Sequence, residues 1–140
     1  MKILFLFPLL ILPFLLKAQL GLTEQEIKNK YSYATFKIDY VSGNMLLKYS
    51  DIPNDSKYIT SDNITSNTSM TFYFDSNNIC KIILMTINDT QGIKQTITDC
   101  NEHDIIISPT EWIIPYFSKG TEYLKLEYFM GMALFYDYYK

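Results

Sequence analysis

The chain has 140 residues, with 12 lysines, no arginine and 15 acidic residues, for a net charge of −3. An acidic chain without the planar guanidinium fork is poorly equipped to read phosphates or guanine edges, which argues against nucleic acid and anionic lipid as partners. Its length suits one domain with a real core.

Residues 1–18 read as a secretory signal peptide. Lys2 is followed by an apolar run from Ile3 to Leu16, interrupted only by Pro8 and Pro13 and ended by Lys17-Ala18-Gln19. The run is too short to span a bilayer, so cleavage is expected near Ala18, with export to the periplasm or exterior and no stable membrane insertion afterwards. The mature chain, residues 19–140, would be a single domain of net charge −5, because two lysines leave and every acidic residue stays.

A helix is expected next, over about residues 23–31. Thr23 and Glu26 have the spacing of a capping box, and Leu22 and Ile27 that of a hydrophobic staple. Glu24 opens the helix, and Lys28 and Lys30 close it, in accord with its dipole. "ATFKIDYV" (34–41) alternates as a strand, "SGN" (42–44) signals a turn, and "MLLKYS" (45–50) resumes as the second arm of a hairpin. Residues 51–69 are polar and turn-rich and read as a long surface loop, with Tyr58-Ile59 as its one approach to the core. "MTFYF" and "ICKIILMTI" follow as strands around a "DSNN" turn. The second is apolar throughout and belongs at the centre of a sheet.

Residues 88–103 admit two readings. A turn plus a strand is one. The recurrence of Ile93, Ile97 and Cys100 favours the other, a helix, although Gly92, Thr96 and Thr98 weaken it. "DIIIS", "EWII", "EYLKLEY" and "ALFYDYYK" then read as strands, with a turn at "FSKGT" and a bend at Gly131. The fold class expected is α+β: short helices on one face of a meandering antiparallel sheet. The helix-then-strands order divides the mature chain into two pseudo-repeats, 19–87 and 88–140, alike in pattern rather than identity.

The opening "GLTEQEI" resembles that of small exported domains of the SmpA/OmlA and beta-lactamase-inhibitor-like group, through Gly21, Leu22, Thr23, Glu26 and Ile27. The resemblance implies a helix followed by antiparallel strands, often in tandem. It also implies protein binding rather than catalysis. The chain departs from the group at Tyr31-Ser32-Tyr33, where a Gly-x-Pro turn is usual.

No catalytic or metal constellation stands out, and no cofactor is implied. Cys100 and His103 lack an orienting group and an oxyanion site, so His103 reads as a solvated helix-end residue. Glu111, Glu122, Glu127 and Asp137 lie among strands. A pair of them at suitable separation would serve a secreted hydrolase, but alternation makes most of them solvent-face residues. Trp112, Tyr136 and Tyr138 are the candidate binding residues, an aromatic platform for protein or glycan. Tyr139 falls on the other face of its strand with Phe135. Cys80 and Cys100 are the only cysteines, and in an oxidising compartment they are expected to pair as a disulfide. The leading functional expectation is a non-catalytic binding or inhibitor-like protein whose partner is another exported or envelope protein. A secreted hydrolase and a glycan-binding module are the alternatives.

Overall fold

The computed structural model of the chain describes residues 20–42, 53–65, 67–115 and 121–139. The signal peptide expected over 1–18, the strand expected at 45–50 and most of the turn expected at 117–121 lie outside the described residues. The described elements run α1 (Glu24–Lys30), β1 (Lys37–Tyr40), β2 (Lys57–Thr65), β3 (Thr68–Phe74), β4 (Cys80–Ile87), α2 (Thr90–His103), β5 (Ile105–Ser108), β6 (Glu111–Ile114), β7 (Glu122–Phe129) and β8 (Met132–Tyr139). The eight strands form one antiparallel sheet in the order β1-β2-β3-β4-β8-β7-β6-β5. The architecture is α+β and mostly sheet.

Helix α1 forms where its cap dictates. The Thr23 hydroxyl accepts from the Glu26 amide, and the Glu26 carboxylate accepts from the Thr23 amide at 2.8 Å. Seven residues are too few to hold a helix alone. Its outer contacts supply the rest. Ile27 and Tyr31 are buried, and Glu24 bonds both Lys28 and Lys57, the latter on β2. Burial disfavours the Glu24 carboxylate, but the two lysines outweigh it and leave its pKa below the usual value.

Residues 90–103 are helix, and the residues that weaken the expectation each have a local answer. The Asp89 side chain caps the helix by accepting from the Gly92 amide. A Cβ at Gly92 would sit 3.1 Å from that carboxylate and 3.3 Å from Ile87, so glycine is what lets the cap close. Thr96 and Thr98 donate to the carbonyls four residues back, the usual way a hydroxyl is accommodated mid-helix.

The loop expected over 51–69 is corrected by the structure: Lys57–Thr65 is strand β2, and β3 begins at Thr68. The alternation was present but carried by polar residues. Ile59 and Ser61 point inward and are fully buried, while Tyr58 and Thr60 point the other way. The Thr60 and Thr71 hydroxyls bond across the β2–β3 pair at 3.0 Å, a cross-strand contact that favours pairing.

The register gives the sheet two distinct faces. On the first, one row crosses all eight strands: Ile38, Ile59, Phe72, Ile83, Asp137, Leu124, Trp112 and Ile106. This core face clusters with Ile27 of α1, the C-cap residue Tyr31 and Cys100 of α2, and with the partly buried Ile93 and Ile97. The adjacent row on the second face runs Asp39, Tyr58, Tyr73, Ile82, Tyr138, Tyr123, Ile113 and Ile105.

The expected disulfide is not formed: Cys80 and Cys100 are both buried thiols. A helix over residues 90–103 would bring the two sulfurs together only by running back over β4. Instead α2 packs against β5 and β6, and Asn101 accepts from the Trp112 indole at 2.8 Å. Cys100 therefore lies toward the β6 side, while Cys80 lies at the β3–β4 turn, where its carbonyl accepts from Gly21.

Replacing Thr23 by Ala removes one half of the capping box, and urea denaturation is expected to report a loss of about 1 kcal/mol. The two thiols give a second test. Both are expected to resist alkylation in the native protein and to label fully in denaturant without reductant, as read by intact mass.

Candidate functional site

The sequence brought Trp112, Tyr136 and Tyr138 together as one platform. The structure separates them. Trp112 is on the core face with none of its surface exposed. Its partner in register is Leu124 on β7, and Tyr136 and Tyr138 lie on the opposite face of the sheet. Trp112 is thus a structural anchor between β6 and α2 rather than a binding residue. The division of β8 holds as expected, with Phe135 in the core cluster and Tyr138 in the second one.

The second face is built from tyrosine. Tyr73, Ile82, Tyr138 and Val41 form a buried cluster, with Tyr58, Tyr123, Tyr136 and Leu84 packed against it and partly exposed. The Tyr58 and Tyr73 ring centroids are 5.2 Å apart, tilted by 39°. Those of Tyr123 and Tyr138 are 5.8 Å apart and stacked at 21°. Such pairs add about 0.5–1.5 kcal/mol each beyond the area they bury. Along β8 the same face carries Met132, Leu134, Tyr136 and Tyr138, an apolar stripe flanked on β7 by Lys125, Glu127 and Phe129. Lys125 lies 3.7 Å from Glu111 on β6. At the β1–β2 edge, Thr35, Lys37, Thr60, Asp62 and Asn63 line a polar pocket of about 220 Å³.

The carboxylates divide between the faces. Glu111 and Glu127 are on the tyrosine face beside Lys125. Glu122 and Asp137 are on the core face with none of their surface exposed, which corrects the expectation that alternation places them in solvent. Glu122 is opposite Tyr139 and Asp137 opposite Leu124, so the two acids are diagonal neighbours, a relation that sets Cα atoms about 7–8 Å apart. Cys80 belongs to the same region: burial first, and then Asp137, pushes its thiol pKa up. Burial does the same to Tyr139, with Glu122 and Asp137 adding to it. Cys100 is buried, whereas His103 is exposed with its ring against the Asp99 carbonyl.

Sequence reasoning missed Tyr58, Tyr73 and Tyr123 as members of the site. Tyr73 and Tyr123 sit in strands that were recognised, in the outward phase. Only the cross-strand register, which no single-strand pattern contains, aligns them with Tyr138. Tyr58 was lost with β2.

Comparison with protein-family models, with curated proteins and with solved structures finds no match for this chain.

The tyrosines also set the alkaline limit of the fold. Burial pushes the Tyr73 phenol up to about 12, with Tyr58 and Tyr136 adding to it, and burial likewise raises Tyr136 and Tyr138. A phenol held neutral in the fold binds its proton more tightly there than in the unfolded chain. The stabilisation is complete below the unfolded value near 10 and is lost as pH rises toward 12. Phenolate absorbance and far-ultraviolet circular dichroism are expected to change together in that window. Full ionisation of the tyrosines with the dichroism intact would contradict a buried face.

Proposed function

We propose that the chain is a small exported protein that acts by binding rather than catalysis, and that its partner is another exported or envelope protein held on the tyrosine face. The observation that carries this reading is the partly exposed set Tyr58, Leu84, Tyr123 and Tyr136 packed around the buried Tyr73, Ile82 and Tyr138, continued by the partly exposed Leu134 and Met132 along β8. Tyrosine offers a large rigid area and a polar tip at low entropic cost, the combination that dominates binding hot spots. The buried position of Glu122 and Asp137 supports binding over hydrolysis, since a substrate has no path to either acid without opening the core face.

The architecture suits the same reading. We propose that residues 19–87 and 88–140 are tandem units, each a short helix and its strands, with both helices on the core face. The strand order supports this, because β1–β4 and β5–β8 run outward from a shared β4–β8 seam. Such a tandem fits the resemblance of Gly21–Ile27 to inhibitor-like exported domains.

The test is recovery of a partner from a native envelope fraction by the purified mature chain, compared with Leu134→Ser and Tyr136→Ser. Both positions are partly exposed, so the variants are expected to keep their melting temperature within a few degrees and to lose recovery at least tenfold, about 1.4 kcal/mol. Equal recovery by wild type and both variants would remove the tyrosine face from the reading. A glycan array hit abolished by the same substitutions would replace the protein partner with a carbohydrate.

A further inference from the structure

We infer that the turn of the β7–β8 hairpin is a finger that enters the surface of a neutral phospholipid bilayer. Geometry isolates this turn. β7 keeps register with β6 only as far as Lys125, with one further bond from the Leu126 amide to the Thr110 carbonyl. β8 pairs with β4 only from Ala133 onward. Residues 127–132 therefore extend past both flanking strands, joined in register only within the hairpin itself. The extended chain from Glu127 to Met130 reaches about 10–13 Å. That suits the roughly 5–10 Å over which interfacial elements bury their apolar side.

The chemistry along the finger follows the polarity gradient of a bilayer surface. At its root lie Lys125 and Glu127, with Glu111 beside Lys125. Tyr128 comes next, an amphipathic ring of the kind enriched at headgroup level. Phe129 and Met130 form the tip, and no charge occurs from 128 to 132. Tyr128, Phe129 and Met130 are 61%, 59% and 83% exposed.

Backbone strain is an independent sign. Phe129 and Met132 are partners in register, leaving a two-residue loop with φ of 49° at Met130 and 79° at Gly131. Loops with two positive φ angles favour Asn-Gly or Asp-Gly, and a non-glycine residue there is uncommon. The fold alone would be better served by asparagine. A methionine kept in a costly conformation at the most exposed point of the hairpin is accounted for by a contact outside the fold. The acidic net charge and absence of arginine direct the finger to zwitterionic rather than anionic lipid. Three side chains support weak, reversible contact and not anchoring.

The experiment is flotation of the full mature chain with phosphatidylcholine vesicles at millimolar lipid, against Phe129→Ser and Met130→Asn. Wild type is expected to float with the vesicles, unchanged between low and high salt, and each variant to partition about tenfold less. Met130→Asn suits the left-handed position, so it is expected to melt no lower than wild type, which separates loss of contact from loss of fold. Wild type remaining with the unbound fraction, or variants floating as well as wild type, would overturn the inference. Flotation seen only with anionic vesicles and abolished by salt would overturn it too. No flotation, together with loss of the envelope partner by the same two variants, would assign the finger to an apolar socket in a protein instead.

Discussion

The rest of the structure depends on the antiparallel seam between β4 and β8. Six residues of each strand are in register there, from Ile82 opposite Tyr138 to Ile87 opposite Ala133. The seam lies at the middle of the sheet, so both strands have neighbours on each side and must satisfy two faces at once. That constraint selects the residues. Ile83, Met85, Ile87, Ala133 and Phe135 serve the core face, and Ile82, Leu84, Tyr136 and Tyr138 serve the other. A strand buried on both sides reads as a near-continuous apolar run rather than an alternating one, and "ICKIILMTI" does. β8 keeps its alternation in a different form, with tyrosine in place of the polar residues.

Tyrosine in the outward phase is what builds the second face. The rings pack in pairs on this side of the sheet, Tyr58 against Tyr73 and Tyr123 against Tyr138. An aliphatic residue in those places would seal the face as well but leave a dry patch prone to association. Asp137 is the counterexample on the core face. It is the one acid in a row of otherwise apolar residues, directly opposite Ile83 and Leu124. A carboxylate removed from water is costly unless it is compensated. Its place at the seam, diagonal to Glu122, therefore marks a polar region inside the core.

Much of this was legible in the sequence, and what was not has identifiable causes. The start of α1 was readable because capping chemistry is local: Thr23 and Glu26 need only each other. β4, β7 and β8 were readable because apolar alternation or its saturation is local too, and the two hairpins followed from the turns between the strands. β2 was not, because its inward residues include Ser61 and its outward ones include Thr60 and Asp62, so a periodic signal was spread over residues that also favour turns. Trp112 was misassigned for a related reason. A tryptophan in "EWII" has the composition of a surface aromatic, and its complete burial opposite Leu124 and its bond to Asn101, eleven residues earlier, identify it as core. The tyrosine row lies at the limit of such reading, since alignment across strands is a property of register.

The same distinction explains the thiols. The spacing of twenty residues and the helical phase of Ile93, Ile97 and Cys100 were read correctly, and both cysteines do reach the core face. What the sequence could not supply was the direction of α2. A helix leaving a central strand can return over that strand or cross toward an edge. Here it leads into β5, the outermost strand of its half, so it must cross the intervening strands to deliver the chain there. Topology, rather than the preference of either cysteine, thus keeps the two sulfurs apart and leaves each as a small apolar residue among its neighbours.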